Sequence, residues 1–345
     1  MSESSTADPH SIPAIHALHL AELVKHWNVT QEELFSGLDL DDQFLSEPEA
    51  RLSIPTLEKV VARARALTGK PALGFYLGFQ MRISAHGFLG FAAMTSATTR
   101  DALNLAAQFA PTRTGALAIR LCDDGDVASV IVEERADFGT ARDVVIPAVL
   151  IGLWQIGNAL TGRELMGSAD LAFPEPDYFG KYIGLLPRVR FSQPVNQLVF
   201  DAKFLDLPLK MADPAARRLA VEQCERALDA LGGDGRLIAR VRSLIPRKEG
   251  GFRSLDEVAS ELRLSPRTLK RKLAAQAMAY TSLLEEQQRD KAFLLLRSPE
   301  LSLEAVADRL GYSDAANFTR AFRRWTGMTP SGYRRTLSSA PDTRK

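Results

Sequence analysis

Two clusters of hydrogen-bond donors recur in the last third of the chain: Arg267, Lys270 and Arg271, then Thr319, Arg320 and Arg323. Spacings of one, three and four residues put each cluster on one face of a helix. Such a face suits a polyanion. A guanidinium fork donates two bonds to O6 and N7 of guanine, whereas Lys and Thr serve a phosphate or a single base edge. The opposite faces are apolar: Leu269 and Leu273 stand at i and i+4, and Phe318, Phe322 and Trp325 at i, i+4 and i+7. Both helices therefore need a core behind them.

The elements that hold these helices are duplicated. SLDEVASELRLSPRTLKRKL begins at Ser254 and SLEAVADRLGYSDAANFTRAF at Ser302, 48 residues later. Leu255, Val258, Ala259, Leu262 and Ser265 align with Leu303, Val306, Ala307, Leu310 and Ser313; after one inserted residue, Leu269, Arg271 and Leu273 align with Phe318, Arg320 and Phe322. Each copy opens on a Ser N-cap with an acidic residue in the first turn, which suits the free N–H groups and the helix dipole. Ala259 or Ala307 allows a close helix crossing, and RLS or GYS supplies a three-residue turn that sets two helices at a steep angle. A doubled helix-turn-helix points to a reader of duplex DNA.

Charge is partitioned accordingly. From Arg236 onward there are 22 Lys and Arg against 12 Asp and Glu, leaving 21 against 30 before it, so a total of +1 hides halves of +10 and −9. The basic half attracts phosphate and releases counterions; the acidic half is not expected to bind DNA.

At these residues the chain resembles the AraC/XylS family of bacterial transcription regulators. GYSDAANFTRAF, the closing WTGMTPSGYR and the intervening TSLLEEQQRDKAFLLLRSPELS carry the resemblance, which spans Ser254 to Arg334. It implies two readers joined by a rigid helix and entering successive major-groove faces about 34 Å apart. By position, the family's base-reading places fall on Arg267, Lys270 and Arg271, and on Ala316, Asn317 and Arg320. Ala316 departs from the long polar side chain often found there, leaving Arg320 as the main direct reader of the second unit. Lys272, Arg323 and Arg324 stand between phosphate contact and solvent; Lys291 and Arg297, on the intervening helix, read as solvent-facing or salt-bridged.

The N-terminal half is patterned differently. Helices are expected over Ile15 to Trp27, Ile54 to Thr68 and Pro71 to Phe79, followed by the apolar HGFLGFAAMTSATT and the amphipathic DALNLAAQFAPTR. ALAIRLC and VASVIVEER flank the turn-forming DDGD and predict a hairpin. A helix near Ala141 to Leu160, a strand at Leu171 to Phe173, a helical piece at Tyr178 to Leu185, and strands at Arg188 to Phe191 and Gln197 to Phe200 follow. The fold class is thus an α+β N-terminal domain, with helices on one antiparallel sheet, plus an all-α C-terminal domain with two helix-turn-helix units. PALGFYLGF, HGFLGFAAMTSATTRDAL and FSQPVNQLVFDAKFLDLPL are similar to the sensor domain, called arabinose-binding, of one AraC-type subfamily. That resemblance implies a small-molecule effector without identifying it. Candidate pocket residues are His86, Phe88, Phe91, Arg113, Trp154 and Tyr178, large or donor-bearing side chains near Gly turns.

Little else in the chain carries chemistry. His19, Glu22 and His26 share a helix face, but H-E-x-x-H is absent, so no metal is expected. G-x-S-x-G, P-loop and G-x-G-x-x-G patterns are also absent, and neither an enzyme nor a cofactor is expected. Cys122 and Cys224 are too few for a disulfide framework and fit a reducing compartment. The start, MSESSTADPHSIP, reads as a disordered tail and not a secretion signal. Val144 to Gly162 approaches the length of a membrane span, yet Pro147, Gln155 and Asn158 favour a buried core helix. The expected boundaries are a tail over 1–13, an effector and dimerisation domain over 14–213, a connecting helix and hinge over 214–235 with the joint at GGDG, the DNA-binding domain over 236–336, and a tail over 337–345. The stripe of Ala220, Cys224, Ala227 or Leu228, and Leu231 is expected to pack on its own domain, with pairing to a second subunit as the alternative. Taken with the resemblance, this gives a cytoplasmic, nucleoid-associated regulator, an activator by family habit. Its partners are duplex DNA, RNA polymerase, an effector and a second copy of the chain; the alternative is a constitutive or architectural DNA-binding protein.

Overall fold

The computed structural model describes residues 10–38, 40–47, 50–182, 188–230, 234–247 and 251–338 of the 345. Strand β1 (Ile12–Pro13) precedes helices α1 (Ile15–Val24), α2 (Gln31–Phe35) and α3 (Asp42–Ser46), then strand β2 (Arg51–Leu52) and helix α4 (Ile54–Thr68). Apolar positions at helical spacing, among them Leu20, Val24, Leu34, Val60 and Val61, close a first core. Ile12 is buried in it, and β1 pairs antiparallel with β2. Ile12 and Pro13 therefore belong to the fold and not to a tail reaching residue 13.

Helices α5 (Leu73–Gln80), α6 (Gly87–Met94) and α7 (Thr99–Phe109) lead to strands β3 (Leu117–Asp123) and β4 (Val127–Glu134), then the long helix α8 (Arg142–Thr161). Helix α5 lies against α8 at Gly74, where a Cβ would stand 2.4 Å from the Val144 carbonyl oxygen. That approach requires glycine. Helix α8 is long and apolar enough to cross a bilayer, but it buries Val144, Ile146, Leu150 and Ile151 in three cores of this half, as a core helix does.

Strands β5 (Gly167–Asp170), β6 (Arg188–Arg190) and β7 (Asn196–Asp201) complete a five-stranded sheet in the order β3-β4-β7-β5-β6. The expected β3–β4 hairpin forms, with Arg120 opposite Ile131. Two expectations need correction. The sheet is mixed, because β6 runs parallel to β5, as the long connection between them allows. The strand expected at Leu171–Phe173 lies at Gly167–Asp170, where pairing with β7 on one side and β6 on the other overrides the poor strand propensity of GSAD. The helical piece expected over 178–185 is a short 3-10 turn at Phe179–Lys181; residues 183–187 lie outside the described residues.

Helix α9 (Pro214–Ala230) turns Ala220, Cys224 and Leu228 onto Leu89, Ala92, Leu105 and Phe109 of α6 and α7. Ala220, Cys224 and Leu228 of the expected stripe are thus occupied within the chain, and Leu231 lies outside the described residues. Of the expected joint, Gly232 and Gly233 lie outside the described residues, whereas Asp234 and Gly235 already belong to α10 (Asp234–Leu244). The C-terminal half continues through α11 (Leu255–Glu261), α12 (Pro266–Ala274), α13 (Tyr280–Leu295), α14 (Leu303–Arg309), α15 (Ala315–Thr326) and α16 (Pro330–Ser338). It has two cores. Leu269, Leu273 and Leu283 belong to the first, and Phe293, Phe318, Phe322 and Tyr333 to the second; α13 contributes to both.

Candidate nucleic-acid interface

Helices α11 and α12 form the first unit. Ser254 and Glu257 make a reciprocal capping box at the start of α11. Ser265 caps α12 by accepting from Thr268 N at 3.1 Å, and Pro266 supplies the first helical residue. Leu269 and Leu273 are fully buried, which turns Arg267, Lys270 and Arg271 outward, all exposed. The predicted division of faces holds.

The second unit, α14 and α15, repeats the design with one change. Its recognition helix is capped by Asp314, not by the aligned Ser313: the Asp314 carboxylate accepts from Asn317 N at 2.6 Å, and that bond holds its pKa below the usual range. The inserted residue shifts the cap by one position. Phe318 and Phe322 are fully buried, and Phe322 meets Phe293 at 5.6 Å and Tyr333 at 5.8 Å between ring centroids. Trp325 is only half-buried at the edge of this core. Gly327 closes α15 in the left-handed region at φ +75°.

On the outer face Ala316, Arg320 and Arg323 are exposed, while Asn317 and Thr319 are half-buried. Asn317 is engaged locally. Its amide nitrogen donates to Ser313 Oγ and Asp314 Oδ2, each at 2.7 Å, and its Oδ1 accepts from Arg320 Nη2. Arg324 pairs with Glu285 of α13 at 2.8 Å. What remains is a pair of donor-rich helix faces, each backed by its own core.

The six pocket candidates do not converge. His86 stands at the start of α6 with its ring 6.1 Å from that of His16, and Arg113 donates to the Ala85 carbonyl at 3.3 Å beside it. Phe88 and Phe91, on α6, are 60% and 42% exposed. Trp154 instead donates to the Leu165 carbonyl at 2.7 Å, and Tyr178 to Asp143 Oδ2 at 2.9 Å, which Arg65 also binds. Sequence reasoning missed His16. Burial pushes its pKa down to about 3 and that of His86 down to about 4; His86, His19 and Arg113 reinforce the first, and Arg113 and His19 the second. Of the residues weighed for metal, Glu22 pairs with Lys25, and His26 Nδ1 lies 3.0 Å from the Leu23 carbonyl oxygen.

Residues 29–209 match the family described as the arabinose-binding domain of AraC transcription regulators, and residues 258–336 match a helix-turn-helix domain family. The chain is 32% identical over 325 residues to the ornithine utilization regulator of Pseudomonas aeruginosa, covering 94% of this chain and 96% of that one. It is 28% identical over 327 residues to an HTH-type transcriptional regulator of Mycobacterium tuberculosis, covering 92% and 94%. Among solved structures, the transcriptional regulator CdpR from Pseudomonas aeruginosa aligns over 92% of this chain and 97% of its own, with a TM-score of 0.47 and 23% identity. With a family match across more than half its length and a full-length relative, this chain belongs to the AraC-type transcription regulators, DNA-binding proteins and not enzymes, of the subfamily with an arabinose-binding N-terminal domain.

Proposed function

We propose that the chain is a one-component activator: a small-molecule effector bound by the N-terminal domain controls how the two helix-turn-helix units engage an operator. The single observation that carries this reading is the joining of the two halves by buried ion pairs, Arg120 with Asp290 and Asp170 with Arg297. A domain held on the helix between the readers is placed to influence them, with a coupling free energy of about 1 to 3 kcal/mol, typical of such links. Arg267, Lys270, Arg271 and Arg320 are the proposed base readers; Lys272, Thr319 and Arg323 are proposed to hold phosphate, and RNA polymerase is the proposed downstream partner in the cytoplasm. For dimerisation the stripe of α9 is already covered, so a second copy would dock elsewhere.

Effector contact is proposed around His86, Arg113, Phe88 and Phe91, the candidates on α6 or beside its start, of which Phe88 and Phe91 are exposed. Because a full-length relative is named for ornithine utilization, basic amino acids and their breakdown products are the first compounds to screen. A thermal-shift panel tests this. An effector at a hundred times its Kd stabilises the folded protein by about 2.7 kcal/mol, and His86→Ala is expected to remove that shift. A panel without any shift, together with a reporter equally active under all conditions, would favour the constitutive reading.

A further inference from the structure

The two helix-turn-helix units have separate cores, bridged by α13 and by Phe252, which packs against both. Among the described residues, α13 and that one ring are the apolar links between the two cores, so a further support along α13 would restrict their mutual angle. The N-terminal sheet grips that helix at two places. At the first, Arg120 of β3 donates through Nε and Nη2 to both oxygens of Asp290 and through Nη1 to Glu133 of β4, with Glu286 Oε1 4.0 Å away. Arg242 of α10, a helix that packs Val241 into the core of the first unit, donates to the same Glu286 at 2.8 Å. Arg135 and Arg289 flank Glu133 at 3.5 and 4.0 Å. Arg120 and Asp290 are 7% and 2% exposed.

At the second place, Arg297, just past α13, donates to Asp170 Oδ2 at 2.7 Å, and Arg190 and Gln197 complete the shell of that fully buried carboxylate. The segment holding Arg297 is tied to the second unit through Arg334 of α16, which donates to the Leu296, Ser298 and Leu301 carbonyls. From Glu286 to Leu295 the helix runs about 14 Å, and Arg297 lies just beyond its end. One hold therefore acts on the first unit and the other on the second.

The geometry also decides against a steric block. Thr281, Leu284, Glu285 and Gln288 of α13 line a recess with Arg320 and Arg324. At 100° per residue, Glu286 and Asp290 project from roughly the opposite side. The sheet holds the back of the helix and leaves open the side that faces Arg320 of the second unit.

We propose that Arg120 and Asp170 are positioning residues for DNA recognition: the N-terminal sheet acts as a splint along α13 that fixes the angle between the two readers and so the spacing of the half-sequences they accept. This rests on α12 and α15 being the readers. It goes beyond effector control, because it gives the N-terminal domain a part in operator choice with no ligand bound.

The test is selection of binding sites by the full-length protein from a library of random-sequence duplexes. Wild type is expected to enrich a two-part sequence at one spacing, by about tenfold over spacings one base pair longer or shorter, a ratio within the range of ordinary coupling energies. Arg120→Ala is expected to keep both half-sequences while that ratio falls to about twofold. Arg120→Lys, which keeps a positive charge between Asp290 and Glu133, is expected to retain most of the wild-type ratio. Asp170→Asn keeps the size of its side chain and offers the same comparison if Arg120→Ala does not fold. Undiminished spacing discrimination in Arg120→Ala and Asp170→Asn overturns the splint. Enrichment of only one half-sequence by wild type overturns instead the reading of two readers on which it rests.

Discussion

Arg297 and Asp170, 127 residues apart in the chain, meet at 2.7 Å with the carboxylate fully buried. A buried ion is tolerated only when its partners are present: Arg297, Arg190 and Gln197 all donate to Asp170. Asp170→Ala leaves two arginines facing each other without their counter-charge. The expected cost is about 3 to 5 kcal/mol of unfolding free energy, read from urea denaturation, and a loss below 1 kcal/mol would mean that water already screens the site.

Direct reading of bases is separable from attraction to phosphate. Arg271→Ala and Arg320→Ala are each expected to weaken binding to the selected operator by about 1 to 3 kcal/mol and to relax preference at one base position. Titrating each variant against operator and scrambled duplex distinguishes the roles, since equal weakening on both would make the residue a phosphate contact.

Phe322 is expected to act through the core. It is fully buried among Phe293, Phe318 and Tyr333. Phe322→Ala should lower stability by about 3 to 5 kcal/mol, and a variant with a wild-type melting curve contradicts the assignment of faces on α15.

Acid should loosen the N-terminal half. Burial lowers the pKa of His16 to about 3 and of His86 to about 4, from an ordinary 6.5. The unfolded chain then takes up protons first, so stability is complete above about pH 6.5 and is lost as pH falls toward those values. At pH 5 the expected loss is about 1 to 2 kcal/mol per histidine. Denaturant titrations at pH 7.5 and 5 measure it, and His16→Gln with His86→Gln should flatten the difference.

Binding should also weaken steeply with salt. The half from Arg236 onward carries a +10 excess, and each phosphate contact adds roughly −0.9 to the slope of log affinity against log salt. A slope near zero for the full chain would remove phosphate contact from the reading.

Sequence periodicity exposed the C-terminal half almost completely, because doubled caps and apolar spacings such as Leu269 with Leu273 are local signals. The β3–β4 hairpin was equally legible, its alternation being framed by DDGD. GSAD was not, since β5 owes its strand form to neighbours on both sides and not to its own residues. Arg120 and Asp290 lay beyond reach for a related reason: nothing in a charged residue announces which distant charge it will meet. Arg297 read only as solvent-facing or salt-bridged, and the structure supplies the partner. In the candidate effector region the sequence pointed to His86 and Arg113 but passed over His16, an unremarkable position until folding brings its ring near that of His86.

The face on which α13 rests is built from charged residues, Arg120, Glu133 and Asp170, and this bears on how the protein is made. Translation delivers the N-terminal domain first, and domains fold as they emerge. Asp201 completes the sheet well before Arg297 leaves the ribosome. During that interval the waiting face is bare. An apolar docking face would then invite aggregation, whereas arginine and carboxylate side chains keep their water until the helix arrives. Docking that rests largely on ion pairs is thus expected to make a half-synthesised regulator less prone to aggregate while its partner helix is still to come.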